Sequence, residues 1–480
     1  MNYSMIFYII GWIFNVEAAL MIPSCVVAVI YGEKSGFAFA GTIVLCALLG
    51  IPLIRRQPEN KVFYIREGSV IVASSWIIMS IMGALPFIFS GSIPDPIDAV
   101  FETVSGFTTT GASILPTVEQ LPKCVAFWRS FTHWVGGMGV LVFLLCLLPL
   151  AGGGYHMNLM KAESPGPSVS KLAPRVQSTA KILYGLYIFL SFVELVLLLA
   201  GSMPLFDALC TTFGTAGTGG FGIKNDSIGG YSVYLQVVIT IFMILFGVNF
   251  NVYFLFLMKK PKEAFRCEEA RWYFAIIAVS VVTITIFIRD LFPSLALAFH
   301  HAAFQVGSII TTTGFSTVDF DLWPSVPKTI LVLLMFIGAC AGSTGGGIKV
   351  SRVLLLSRLV KKELSQNIHP RIVRKINFEG RTVDSEVLRS VSAFIATYLL
   401  IMAGSILLIS IDNFDFTTNF TAVAATLNNI GPGLAAVGPT QNFGIYSGFS
   451  KLVLIFDMLA GRLEIFPLLL LFVRDTWKRF

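Results

Sequence analysis

Ten long apolar stretches dominate the chain, and each approaches or exceeds the length that crosses a lipid bilayer. A transmembrane helix needs about 20 consecutive, mainly apolar residues. We therefore predict a helix for each stretch, which makes the chain an all-α polytopic membrane protein. The stretches cover residues 5–32, 36–54, 69–91, 125–151, 179–202, 232–258, 272–290, 326–341, 387–411 and 449–473.

A shorter motif recurs four times between these stretches. Each copy is a short apolar segment that starts with a helix-starting residue and ends in a polar loop around one key glycine. A full apolar stretch flanks it on both sides, so the repeating unit is helix, half-helix, polar loop, helix. The key glycines are separated by 109, 94 and 117 residues, and they are Gly111, Gly220, Gly314 and Gly431.

This period divides the chain into five parts. An N-terminal helix pair is followed by four pore repeats, of which the third contains an interrupted inner helix. The predicted boundaries are 1–60 for the helix pair and 61–160, 161–260, 261–375 and 376–480 for the repeats.

Composition agrees with membrane residence. Hydrophobic residues make up 55% of the chain, charged residues 13%, and the mean hydropathy is +0.79. A soluble domain carries about a quarter charged residues. The seven cysteines are scattered without a CxxC motif, so we expect neither disulfides nor a cysteine metal site. No nucleophile with an adjacent base is evident, so we expect neither an enzyme nor an organic cofactor.

The distribution of charge predicts the orientation. The formal net charge of +7 does not indicate nucleic-acid binding, because 26 of the 34 basic residues fall in alternate loops on one side. By the positive-inside rule this side is cytoplasmic, and both termini lie there. The opposite side holds twelve acidic residues against about seven basic ones. These acids either form a negative vestibule that concentrates cations or simply solvate the outer loops.

The four polar loops need a physical reason to lie within a membrane. Non-helical backbone is tolerated there only where it is buried in protein or lines an aqueous path. Four half-helices in a ring would point the negative ends of their dipoles at one axis, which favours a cation. Carbonyl and hydroxyl oxygens would replace its water shell. The predicted filter residues are Thr109, Thr110, Gly111, Thr218, Gly219, Gly220, Thr312, Thr313, Gly314, Asn429, Ile430 and Gly431.

Four segments resemble the membrane subunits of the bacterial Trk potassium-uptake systems, within the Trk/Ktr/HKT superfamily. They are TTTGAS (108–113), TTTGF (311–315), NNIGPGL (428–434) and GACAGSTGGGIKVSR (338–352). The resemblance covers essentially the whole chain. It implies potassium uptake across the bacterial inner membrane, one pseudo-fourfold pore per subunit, a homodimer, and a cytoplasmic nucleotide-binding partner of the TrkA type.

The resemblance also bears on selectivity. Some plant relatives that pass sodium carry serine at the first filter glycine, so Gly111 favours potassium here. The second loop, GTAGTGGFG (214–222), is richer in glycine than the others. Its carbonyl register is therefore the hardest of the four to predict.

The stretch AGSTGGGIK (341–349) has two interpretations. It is similar to a phosphate-binding loop, but Ile348 separates the last glycine from the lysine, and an apolar stretch precedes it instead of a strand in a soluble domain. We prefer an interrupted inner helix that acts as a gate beneath the filter. The predicted gate residues are Gly342, Ser343, Thr344, Gly345, Gly346, Gly347 and Arg462.

Arg462 belongs to this gate through the resemblance, which implies an arginine that faces the pore below the filter. The alternative is a structural ion pair with Asp457 or a neighbouring helix. Glu17 and Glu194 also lie within apolar stretches, and we interpret them as packing or interface groups.

Two further alternatives stay open. A proton- or sodium-coupled secondary cation transporter would also use broken helices and charges at mid-membrane, although it usually shows two repeats rather than four. The basic stretch from Lys349 to Arg389 is predicted to dock the regulatory partner, with attraction to anionic lipid headgroups as the other interpretation.

Overall fold

A computed structural model describes residues 1–59, 64–139, 176–371 and 375–478, and nearly all of its regular structure is helical. Within these ranges the helices are α1 (Tyr3–Tyr31), α2 (Gly36–Arg55), α3 (Ile65–Phe89), α4 (Pro96–Phe107), α5 (Lys123–Gly137), α6 (Val176–Ala200), α7 (Leu205–Ala216), α8 (Val233–Phe246), α9 (Phe250–Leu257), α10 (Pro261–Arg266), α11 (Glu268–Ile288), α12 (Leu295–Ile310), α13 (Ser325–Ile337), α14 (Val350–Ile368), α15 (Ser385–Ile409), α16 (Phe416–Leu427), α17 (Gly448–Arg462) and α18 (Phe466–Leu469).

Short elements connect these helices. Strands β1 (Asn377–Phe378) and β2 (Arg381–Thr382) form an antiparallel hairpin in which Asn377 lies opposite Thr382. The 3-10 turns are Arg289–Leu291, Phe320–Leu322, Ser410–Asp412, Ala435–Val437, Phe443–Ile445, Leu470–Phe472 and Arg474–Trp477.

Six described helices are long and apolar enough to cross a membrane: α1, α2, α3, α6, α11 and α15. The pair α8 and α9 would make a seventh span, but the two are bent by 88° at the break between them. The multi-pass prediction is therefore confirmed. Side chains on the outside of the bundle are apolar and exposed, such as Val29 (82%) and Leu400 (74%), which suits contact with lipid.

The predicted unit appears four times after the helix pair α1–α2. Each repeat has an outer helix, a short pore helix and an inner helix. Outer helices are α3, α6, α11 and α15, pore helices are α4, α7, α12 and α16, and inner helices begin with α5, α8, α13 and α17. The core lies where the pore helices meet the inner helices, and Trp128 and Phe107 are fully buried there with ring centroids 6.0 Å apart.

Inner helices are interrupted more often than we predicted. The third breaks between Ile337 and Val350, as predicted. The stretch 232–258, predicted as one helix, instead breaks between α8 and α9. The stretch 449–473 ends its helix at Arg462, and Glu464 and Ile465 follow with positive φ. Of 125–151, only residues up to 139 lie in the described part of the chain.

Candidate functional site

The pore helices start on the side that the charge pattern predicts to be outer, and most start with a side-chain cap. Asp95 accepts hydrogen bonds from Ile97 N (2.9 Å) and Asp98 N (3.0 Å). Such caps stabilise a helix by about 1 kcal/mol. Asp415 accepts from the hydroxyl and the backbone N of Thr418, and these bonds lower the pKa of its carboxyl. This cap therefore persists to a lower pH than an unperturbed aspartate would allow.

Each pore helix runs directly into a filter loop. We name these filter loop 1 (108–111), loop 2 (217–220), loop 3 (311–314) and loop 4 (428–431). In every loop the residue before the key glycine donates its N–H to the carbonyl five residues earlier, so the loop closes back on its helix. The bonds are Thr110 to Ser105 (2.8 Å), Gly219 to Gly214 (2.8 Å), Thr313 to Ser308 (2.8 Å) and Ile430 to Ala425 (2.9 Å).

The same backbone conformation occurs in all four loops. The key glycine and the residue two before it have positive φ, while the residue between them does not. For a threonine or asparagine this left-handed conformation is uncommon and strained. The non-glycine members are Thr109 (55°), Thr218 (55°), Thr312 (59°) and Asn429 (56°). The same strained turn in all four loops indicates that they share one structural requirement.

The key glycines lie in a closed ring. A Cβ atom added to any of them would collide with the carbonyl oxygen that precedes the key glycine of the next loop. Measured from the added Cβ, the distances are 1.9 Å at Gly111 to Gly219 O, 2.0 Å at Gly220 to Thr313 O, 2.1 Å at Gly314 to Ile430 O and 2.8 Å at Gly431 to Thr110 O. Loop 1 thus touches loop 2, loop 2 touches loop 3, loop 3 touches loop 4, and loop 4 returns to loop 1.

The interrupted third inner helix places residues 338–349, which we name the gate segment, directly beneath this ring. Gly346 N donates to Thr312 Oγ1 (2.6 Å), and Gly347 N donates to the Asn428 carbonyl (3.1 Å). The predicted gate residues therefore contact loops 3 and 4. A Cβ on Gly346 would lie 2.4 Å from the Asn428 carbonyl, so the segment approaches loop 4 as closely as a glycine allows.

The break between α8 and α9 bonds the other side of the gate segment. A helix end leaves carbonyl and N–H groups without intrahelical partners. Here Gly247 O accepts from Cys340 N (3.1 Å), and Phe250 N donates to Gly342 O (3.0 Å). The broken second inner helix is thus part of the site, although sequence reasoning missed it. Gly247 and Asn249 within an apolar run were its only signals.

Arg462 reaches the gate segment from the fourth inner helix. Its Nη1 donates to the Thr344 carbonyl (2.9 Å), and its Nη2 donates to the carbonyls of Gly136 and Gly137 (2.9 Å to Gly137) at the end of α5. The proposed ion pair with Asp457 does not form, since that carboxylate accepts from Ser405 Oγ at 2.7 Å. Arg462 therefore links inner helices 1 and 4 to the gate segment.

Glu269 is a further residue of the site that sequence reasoning missed. It lies in the first turn of α11 and is 2% exposed. Its Oε1 accepts from Ala341 N (2.7 Å) and Ser351 N (3.1 Å), and its Oε2 accepts from the Asn249 amide (3.3 Å). One carboxylate thus holds the gate segment, the helix that follows it, and the break in inner helix 2. Its partners lie 20 to 82 residues away in the chain, so no local pattern identifies it.

Among the described residues, no acidic side chain lines the cavity beside the key glycines, which argues against the negative vestibule that we considered. A cavity of about 160 Å³ lies outside the key glycines, and the charged residues that line it are Arg129 and Lys224. Glu102, which we counted among the outer acids, is buried and bonded to Arg129 Nε at 2.5 Å. Asp95 and Asp415, two of the predicted outer acids, cap pore helices, which is a third role beside the two that we considered.

A family model for TrkH, described as a cation transport protein, matches residues 35–478. The chain belongs to the TrkH family. It is 37% identical to the Trk system potassium uptake protein TrkH of Salmonella typhimurium (100% of both chains), and 35% identical to TrkG of Escherichia coli K12 (97% and 96% covered). The crystal structure of the potassium transporter TrkH from Vibrio parahaemolyticus superposes with a TM-score of 0.89 at 32% identity over 100% of both chains.

This family membership confirms the resemblance drawn from the four segments, and the structural match confirms the fold class. The described helices bring the twelve predicted filter residues into one ring with the gate segment and Arg462 below it. Glu17 and Glu194 lie on α1 and α6, and both are fully buried.

Proposed function

We propose that this TrkH-family chain takes up potassium by letting it pass through the ring of four filter loops, with the gate segment and Arg462 as the closing element. The names of its relatives support potassium as the substrate. The observation that carries the proposal is the cyclic contact of the four key glycines with the carbonyls of the neighbouring loops.

The chemistry of the ring suits a dehydrated alkali cation. Backbone with positive φ at alternate residues brings successive carbonyls to one side of the chain, where they replace an ion's water shell. Each pore helix ends at its filter loop, and its C-terminus contributes roughly half a negative charge. The twelve filter residues then act as oxygen ligands or, at the glycines, as the backbone that permits the ring to close.

The proposed gating depends on the gate segment and on Arg462, which lie beneath the ring. The gate segment bonds to Thr312 and to the Asn428 carbonyl, so it would obstruct an ion that leaves the filter inward. Arg462 adds a positive charge at the same level. Opening then requires the gate segment to leave loops 3 and 4 and the guanidinium to release the Thr344 carbonyl.

We also propose the remaining features that the resemblance implies. They are residence in the bacterial inner membrane with both termini cytoplasmic, assembly as a homodimer in membrane lipid, and control by a nucleotide-binding subunit of the TrkA type. The name "Trk system" of the relatives supports other Trk components as partners.

The first prediction tests the filter. Gly111→Ser and Gly314→Ser should each lower the preference for potassium over sodium, because a side chain at these positions must displace the carbonyl of the next loop. A tenfold loss corresponds to about 1.4 kcal/mol of relative binding free energy, and we expect at least that. The measurement is ion flux in liposomes. Gly404→Ser is the matched control, since nothing lies within 4 Å of its added Cβ. Unchanged preference in both filter variants would exclude these loops as the filter.

A proton-coupled transporter is the second candidate. The carboxyl oxygens of Glu17 and Glu194 are buried and have no hydrogen-bond partner among the described residues. Buried acids of this kind carry protons in pumps and transporters. Potassium flux into liposomes, measured with a proton gradient imposed and then collapsed, separates the candidates. Flux that follows the potassium gradient alone favours the channel.

A further inference from the structure

Filter loop 2 differs from the other three in the side chains that flank its strained residue. The positions three and one before the key glycine hold Gly217 and Gly219. Loops 1 and 3 have threonine at both positions, and loop 4 has Asn428 and Ile430. Loop 2 therefore adopts the same strained backbone without side chains of its own at either position.

The other three loops use these side chains to brace their backbone. In loops 1 and 3 the two threonine hydroxyls bond to each other across the strained residue. In loop 4 the asparagine amide bonds to a tyrosine of the outer helix. The contacts are Thr108–Thr110 (2.8 Å), Thr311–Thr313 (2.8 Å) and Asn428–Tyr398 (2.8 Å).

In loop 2 the space of the missing side chains is filled by a residue from another repeat. His133 of α5 is fully buried. A Cβ on Gly219 would lie 2.3 Å from its ring, and a Cβ on Gly217 would lie 2.2 Å from its backbone carbonyl. A side chain at Gly219 and the imidazole therefore exclude each other, whereas a side chain at Gly217 is excluded by the backbone of α5.

The ring of His133 is fixed from two sides. Its Nδ1 lies 2.7 Å from the carbonyl of Gly106 in pore helix α4. Because a carbonyl only accepts hydrogen bonds, Nδ1 carries the proton. The ring also packs against Phe221, directly after loop 2, with ring centroids 4.2 Å apart. The imidazole is thus clamped between repeat 1 and the backbone of loop 2.

We propose that His133 is a positioning residue for the second quarter of the filter. Its imidazole replaces the bracing side chains of the other loops, holds the backbone of residues 217–220 in register, and so contributes to the preference for potassium over sodium. This inference rests on the proposed filter function. It also accounts for the glycine at position 219, since an inner-helix ring occupies the place where the other loops have a side chain.

A reciprocal substitution tests this. Potassium and sodium flux are measured in liposomes for the wild type, His133→Ala, Gly219→Ala and the double variant. Each single change should lower the potassium-to-sodium flux ratio, His133→Ala by leaving a cavity and Gly219→Ala by colliding with the ring. In the double variant the added methyl group enters the space that the ring has left. Its ratio should exceed the product of the two single effects by at least about threefold, as expected for residues in contact.

Controls keep the outcome interpretable. Melting temperature and size-exclusion profiles are recorded for each variant, and if His133→Ala does not purify folded, His133→Gln takes its place in the same cycle. Independent effects in the double variant, or an unchanged ratio in the folded single variant at His133, overturn the inference. Gly314→Ser is measured in parallel. If that variant also keeps its preference, the filter itself is refuted, whereas a loss in Gly314→Ser alone refutes only the role of His133.

Discussion

At the residue scale, the proposed gate depends on which carbonyl groups accept hydrogen bonds from the guanidinium of Arg462. Arg462 donates to the Thr344 carbonyl of the gate segment and to Gly136 and Gly137 of inner helix 1. An arginine stays protonated in proteins. At about 4 Å and an effective dielectric constant near 20, two like charges repel by about 4 kcal/mol. Such a barrier slows passage by roughly a thousandfold.

Arg462→Ala should therefore raise potassium flux when no regulatory partner is present. The substitution removes both the repulsion and the bond that holds the gate segment at Thr344. The measurement is single-channel current or liposome flux, with Arg289→Ala, an exposed arginine, as the matched control. Combining Arg462→Ala with a shortened stretch 343–347 should gain less than the sum of the two, since both act on one barrier. Lower flux in the folded single variants would assign Arg462 a structural role.

Which charged residues pair with each other was only partly predictable from sequence. We considered Asp457 as an ion-pair partner of Arg462, and Glu464 follows that arginine by two residues. Glu464 instead pairs with Arg352 and Asp457 bonds to Ser405. The key glycines and their threonines were found because they recur in a fixed local pattern. An ion pair across 112 residues depends on how helices pack, and no local pattern encodes it.

At the scale of the element, Glu269 holds the gate segment at two points. Its carboxylate accepts from Ala341 N near the start of the segment and from Ser351 N just beyond its end. A buried carboxylate that accepts hydrogen bonds from backbone N–H groups is a strong contact. Glu269 lies in the first turn of α11. Glu379 of the β1–β2 hairpin caps the N-terminus of that helix by accepting from Glu268 N (3.1 Å) and Glu269 N (3.0 Å). A contiguous chain of contacts thus connects the β1–β2 hairpin to the gate segment.

Glu269→Ala should release the gate segment and raise flux in the absence of a partner. Three hydrogen bonds are lost at once, two of them to the backbone on either side of the proposed obstruction. Liposome flux is the measurement, and Glu263→Ala is the control, because that glutamate is exposed and pairs only with Lys260 in the described part of the chain. If the folded Glu269→Ala protein conducts less than the wild type, the carboxylate supports the open state instead.

Element boundaries show where sequence reasoning succeeds. The four pore helices were found because a proline, serine or aspartate precedes each short apolar segment and a glycine follows it. The break after α8 was missed because apolar composition continues through it, whereas the break after α17 carried signals in Arg462, Glu464 and Pro467 that we did not read as a helix end. Gly247 alone does not force a break. At the break its carbonyl finds a new partner because Cys340 of the gate segment lies beside it, and that placement depends on tertiary packing.

At the scale of the whole molecule, the basic stretch from Lys349 to Arg389 is less uniform than its charge suggested. Arg352 pairs with Glu464 and Arg358 with Glu268, so these two bind within the chain. Lys349 donates to the Gly345 carbonyl of the gate segment. The bases that remain available for a partner include Lys361 and Arg371, which are exposed near the end of α14. Lys349 thus connects the start of this basic stretch to the gate segment.

This division predicts the outcome of charge reversal. Replacing Lys361, Lys362 and Arg371 with glutamate should release a TrkA-type subunit in a pull-down. The protein should still insert into membranes, because the bases that bind within the chain stay intact. Reversal at Lys259 and Lys262, exposed beside α10, is the control for general attraction to acidic lipid or protein. Salt should weaken the wild-type complex as well, since exposed charges are screened within about 10 Å at 0.1 M ionic strength. Undiminished co-purification of the triple variant would place the docking surface elsewhere. Equal loss in both variants would indicate that total charge, and not the end of α14, holds the partner.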